Sequence, residues 1–294
     1  MKFQGIFVAA ATPFDYQGDL YKVKVQHNIE KWNKTSVAGY VMTGSAGEGP
    51  LLSADEKAEV WDLAAKWAAT DKLLLADVTA EGVRETVALA NRAAEAGCKA
   101  VVCGVPHHYK SMMYGESAQT LYYRAVADQS RVPVIIHNAP AYTGVDIGAE
   151  TAIAIAQHPN VAGVIETGTP VTRLKRSAAG VAPGFGLLTG SASDLWEALK
   201  AGATGAVLAF ASAAPYAAIA VWEAFRTREE EAGIDWQSRI SHPNILVTDL
   251  YGVAGLKHAM DLNGYYGGPP RLPLTPVNGA AKAEIAEAFR DLKG

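Results

Sequence analysis

Cysteine is scarce in this chain. Its 294 residues hold two, Cys98 and Cys103. Their spacing matches no metal motif, and one pair makes no disulfide framework, so a stapled secreted scaffold and a structural zinc module are both excluded. They read as small buried hydrophobes of a protein kept in a reducing cytoplasm. No apolar run reaches about 18 residues, so no membrane-spanning helix is expected. The opening MKFQGIFVAAATPFD lacks the basic start and the longer apolar run of a secretory signal. There is no long basic run, and the formal net charge is −4, which argues against a nucleic-acid partner. Internal repeats, low-complexity tracts and linkers are also missing.

What is present is apolar and regularly punctuated. Apolar residues make up 49% of the chain, enough for a large core. Short apolar runs recur at Gly5 to Ala10, Gly39 to Met42, Leu73 to Ala76, Ala100 to Cys103, Val134 to Ile136, Val161 to Ile165, Gly186 to Leu188 and Ala206 to Leu208. Helical patterns separate them. Asp19 is expected to cap a helix over Leu20 to Lys34, Ser53 with Glu56 spells a capping box, and Gly97 stops a helix from Gly82 to Ala96. Eight strand signals alternating with helices predict an α/β chain, a (β/α)8 TIM barrel with a C-terminal helical extension. One domain is expected over 1–294, with the barrel to about 214 and helices from about 215: Ala217 to Glu231, Asn244 to Leu262 and Ala280 to Leu292.

In such a barrel, chemistry gathers beyond the carboxyl ends of the strands. The stretch from Val132 to Gly168 places His137, Asn138 and Glu166 there, on adjacent strands. His137 is a candidate acid–base group near neutral pH. If Ile165 points into the barrel, alternation turns Glu166 away, which leaves it either an acid–base group or a carboxylate that orients a loop. Asp77, at the end of the third strand, carries the same ambiguity. Asp77, His107, His108, His137 and Glu166 suit a divalent metal by residue type, but no local spacing binds them together. No metal or other cofactor is assigned. Ser191 and Ser212 are candidates to line the mouth. Trp196, Phe210, Tyr216 and Trp222 read as core.

These motifs resemble the dihydrodipicolinate synthase and N-acetylneuraminate lyase superfamily of class I aldolases. That family reads Tyr-Asn-x-Pro-x-x-Thr-Gly where this chain has His137-Asn138-Ala139-Pro140-Ala141-Tyr142-Thr143-Gly144. It reads Gly-Ile-Lys-Glu or Gly-Ile-Lys-Asp where this chain has Gly163-Val164-Ile165-Glu166, and Gly-Thr-Thr-Gly-Glu at Gly44-Ser45-Ala46-Gly47-Glu48. Arg271-Leu272-Pro273 resembles the connection in the family's tail, so the likeness runs from Gly5 to about Leu292. The resemblance implies that the glycine loop holds a substrate carboxylate through Ser45 and Ala46, and that Ser45 keeps a relay hydroxyl. It places the Schiff-base lysine on Ile165, the catalytic tyrosine on His137, a tyrosine that crosses a dimer interface on His108, and an arginine for a second carboxylate on Tyr142. Of the other lysines, Lys110 is the nearest substitute, while Lys175, Lys200 and Lys257 fall in helical patterns.

The expectation is therefore a lyase of the aldolase or hydro-lyase kind. It acts on a small oxo acid without a lysine imine, with His137, Ser45, His108 and Glu166 as catalytic candidates. Ser45, Ala46, Asn138, Tyr142, Ile165 and Ser191 are the substrate-binding candidates. A homodimer or homotetramer is implied. The alternatives are a catalytically silent member that binds a small acid, and a metal-dependent lyase on the same barrel.

Overall fold

A computed structural model describes residues 1–292. Eight parallel strands close into a barrel in sequence order: β1 Gly5–Ala9, β2 Gly39–Met42, β3 Leu73–Asp77, β4 Ala100–Gly104, β5 Val134–Asn138, β6 Val161–Glu166, β7 Gly186–Thr189 and β8 Gly205–Leu208. Parallel strands covered on both faces need apolar side chains in both directions. Phe7, Val41, Leu75, Val102, Ile135, Ile165, Leu188 and Val207 fill the inside, and their neighbours pack against the helices.

The register sets the height of every inward side chain. The pairings run from Asp77, the last residue of β3, through Val102, Ile135 and Gly163 to Gly186, the first residue of β7. That stagger is the shear of an eight-stranded barrel, about one residue per strand. Corrected for it, alternate strands contribute each inner level. Ala9, Asp77, His137 and Gly190 share the top, and Val41, Val102, Ile165 and Val207 form the level beneath.

Ser53 and Glu56 form the expected reciprocal capping box at the head of Ala54–Trp67, and Gly97 ends Val83–Ala96 at φ +102°. Asp19 does not cap the first helix. That helix is Lys22–Asn33, and its preceding turn is closed by Asp15, whose carboxylate accepts from the amides of Gln17 and Asp19. Pro215–Thr227, grouped on sequence with the C-terminal helices, packs on β1 as the eighth outer helix. The added layer is Glu230–Ile245, Gly252–Leu262 and Gly279–Ala288. The first of these was not expected, because Pro243 lies inside it. Pro243 is followed by a wider turn over Leu246–Leu250. Among the described residues, no helix is long and apolar enough to cross a membrane.

Candidate active site

His137 is the penultimate residue of β5 and points inward, half-buried, with Nε2 3.1 Å from Thr167 Oγ1. Burial pushes the imidazole below its ordinary pKa, and the charge of Asp77 opposes that shift. Ile165 lies one level lower, 2% exposed within the inner apolar cluster, and forms part of the floor. None of the eight strands contains a lysine. Lys110 is exposed on the loop after β4 and reaches over Gly144. Lys175 and Lys200 line a depression between outer helices. Lys257 is buried and ion-paired to Glu48 at 2.5 Å.

The glycine loop follows β2. Gly47 and Gly49 amides donate back to Gly44 and the Glu48 amide to Ser45, whereas the amides of Ser45 and Ala46 meet no protein acceptor among the described residues. Two free amides in a tight turn make an anion-binding concavity. Ser45 is exposed and Ala46 is buried. Non-glycine residues in left-handed conformation bracket the loop, Thr43 at φ +59° and Glu48 at φ +55°. Thr43 Oγ1 accepts from Trp61 Nε1 at 2.9 Å. Glu48 holds Lys257 on one oxygen and accepts the Arg271 amide on the other at 2.8 Å.

Asn138 and Glu166 face the helices rather than the mouth. Asn138 Nδ2 donates to Glu166 Oε2 at 2.9 Å, to Asp146 and to the Ile147 carbonyl, while its Oδ1 accepts the Ile147 amide. Thr169 adds a second donor to Glu166 Oε2, and Oε1 has no partner among the described residues. Burial pushes the Glu166 carboxyl up to about 7. Arg173 clamps Asp146 at 2.6 and 2.8 Å and completes the group. Asn138 thus secures the chain after β5, and Glu166 sits behind His137 as the carboxylate that orients Asn138.

The remaining candidates sit at the rim or outside it. His107 and His108 are exposed, and their amides both donate to Glu81 Oε2. The His108 ring meets Tyr109 edge to face. Tyr142 is 58% exposed. Ser191 is half-buried in the turn after β7 and accepts the Ser193 amide. Ser212 is fully buried and donates to the Ala9 carbonyl, so it does not line the mouth. Asp77, His107, His108, His137 and Glu166 do not converge: among the described residues no group of three or more His, Cys, Asp or Glu side chains is placed to hold a metal. Trp196, Phe210 and Trp222 are core as expected, but Tyr216 is 48% exposed. Cys98 and Cys103 are buried free thiols, pushed up to about 12 by burial.

Thr167, the partner of His137, was not singled out from sequence. It stands two residues beyond Ile165, on the same side by alternation, which is the signal that could have found it. The Glu48–Lys257 pair had no local signal, because its halves are far apart in the chain.

The family model for the dihydrodipicolinate synthetase family matches residues 2–292. A 4-hydroxy-tetrahydrodipicolinate synthase from an Exiguobacterium species is 28% identical over 290 residues, covering 98% of this chain and 97% of that one. A probable mitochondrial 4-hydroxy-2-oxoglutarate aldolase from Emericella nidulans is 29% identical over 293 residues, covering 98% and 94%. Among solved structures, a prophage protein of the same family from E. coli K12, in complex with pyruvate, superposes with a TM-score of 0.91 at 26% identity, covering 99% and 98%. With the glycine loop, the paired strand ends and the C-terminal helical layer all in place along almost its whole length, this chain belongs to the dihydrodipicolinate synthetase family.

Proposed function

We propose that the protein is a lyase of the aldolase or hydro-lyase type that cleaves or dehydrates a small hydroxy oxo acid without a lysine imine. The observation that carries this reading is His137 on the top inner level, held by Thr167, above an Ile165 floor and in a barrel whose strands contain no lysine. The synthase and aldolase activities named for the relatives, and the pyruvate bound by the E. coli protein, favour an oxo-acid substrate.

In a retro-aldol step, neutral His137 takes the proton of the substrate hydroxyl. The C–O bond becomes a carbonyl, the adjacent C–C bond breaks, and its electron pair remains on the oxo acid as an enolate that is then reprotonated. The free amides of Ser45 and Ala46 hold the carboxylate, and the hydroxyls of Thr167 and Ser45 supply donors at the reacting end. Glu166 and Asn138 keep the two strand ends in place, while His108, Tyr142 and Ser191 shape the rim. A homodimer or homotetramer is part of this proposal. Tyr109, Met112 and Tyr114 on the loop after β4 are large and exposed, as a subunit interface requires.

On a confirmed substrate, His137→Ala lowers kcat by at least about 100-fold with the fold intact. Full activity in that variant contradicts the mechanism. A second reading, a silent member that binds a small acid, is favoured by the apolar Ile165 floor. A thermal-shift screen of oxo acids followed by turnover assays separates the two, since binding without turnover supports the silent member.

A further inference from the structure

We propose that Asp77 and His137 form one acid–base unit, in which Asp77 is a positioning residue that stabilises the imidazolium formed when His137 takes a proton. This rests on the reading of His137 as the acid–base group of the pocket.

The barrel register carries the inference. Asp77 and His137 come from alternate strands and share the top inner level with Ala9 and Gly190. Two of the four positions therefore hold little or no side chain, and the space above Ile165 is left to the carboxylate, the imidazole and the Thr167 hydroxyl bonded to it. The strand between them ends in Gly104, paired with His137, so no side chain from β4 separates the two groups at that height. Asp77 is 6% exposed and fixed at one oxygen: Oδ1 accepts the Thr79 amide at 2.9 Å. Oδ2 takes no hydrogen bond from the described residues and lies against the glycine loop, where a Cβ at Gly44 would come within 3.3 Å of it. A carboxylate with one oxygen anchored and the other free, on the inner level of an imidazole to which it makes no direct hydrogen bond and against an anion-binding turn, is an arrangement for holding charge rather than for packing.

The other groups around His137 do not supply this charge. From β6, Thr167 is neutral and Ile165 is apolar, while Glu166 faces the opposite side. From β4, Cys103 turns outward to the Tyr122 hydroxyl. From the helix Glu116–Gln129, Tyr123 donates to the Cys103 carbonyl behind the strand. Tyr142, on the short helix after β5, is exposed.

The test is the pH titration of the His137 imidazole, followed by NMR in isotope-labelled protein and assigned with His137→Gln. In Asp77→Asn, which keeps the shape and the Thr79 contact, the midpoint moves to lower pH by on the order of one unit. Asp77→Gly, which removes the side chain, moves it the same way. An unchanged midpoint in both variants overturns the pairing. The titration needs no substrate, so its failure is distinct from failure of the lyase reading, which the turnover of His137→Ala decides separately.

Discussion

Glu166 shows how much a single side chain's direction decides. It follows the floor residue Ile165, and the half-turn of the strand sends it out of the barrel, where it is buried against Asn138 and Thr169, with the exposed Asp146 bonded to Asn138 beyond them. One of its oxygens is unpartnered and buried, which favours the neutral acid. Its carboxyl is raised to about 7 from an ordinary 4.5. Between those values the folded protein holds a proton that the unfolded chain has released, so this residue's contribution to stability falls as pH rises from 4.5 and is lost above 7. Glu166→Gln, a neutral mimic of the acid, removes that dependence. Relative to the parent it gains stability between pH 5 and pH 8 by up to about 3 kcal/mol in urea denaturation. An equal offset at both pH values contradicts this placement. The direction of Glu166 was legible from alternation alone. Thr167 was within reach of the same alternation, two residues beyond Ile165, whereas Asp77 was not, because only the barrel's stagger sets it on the level of His137.

At the scale of elements, the glycine loop is held from both ends. Thr43 and Glu48 adopt left-handed backbone conformations that L side chains seldom take. Each is secured by a distant element, Thr43 by Trp61 of the helix after β2 and Glu48 by Lys257 and Arg271 of the C-terminal layer. The Lys257 ammonium also donates to the Pro269 carbonyl at 3.0 Å and sits over the Phe14 ring. Replacing it leaves Glu48 charged, buried and without its cation. Lys257→Met is therefore expected to cost about 3–5 kcal/mol in denaturant unfolding. Adding Glu48→Gln to it recovers most of that loss; a double variant no more stable than the single one contradicts the account. The local devices around this loop were readable, the Ser53–Glu56 capping box and the Gly97 stop among them, because each acts within a few residues. Asp19 has the right chemistry for a cap, but Asp15 organises the turn that ends at Asp19, three residues before the helix begins at Lys22. The helix Glu230–Ile245 was missed since tertiary packing tolerates a proline that the pattern alone treats as a break.

For the whole molecule, eight strand positions were legible from apolar runs and their punctuation. A barrel follows because each run is short, apolar in both directions and followed by a helix. What the pattern does not contain is the stagger between strands, and the stagger decides which side chains share a level. It lifts His137 and Asp77 together above Ile165, while alternation along β5 and β6 turns Asn138 and Glu166 outward. In the proposed reading the family frame and the reacting groups separate in this chain: loop, strand ends and helical layer stay, while the position to which the resemblance assigns the lysine is Ile165. Incubation with pyruvate and borohydride, read by intact-protein mass beside a lysine-bearing relative, tests this most directly. No adduct on this protein, with the relative labelled, is the predicted result. A stable pyruvate adduct on any lysine, Lys110 included, would contradict it and return the protein to imine chemistry.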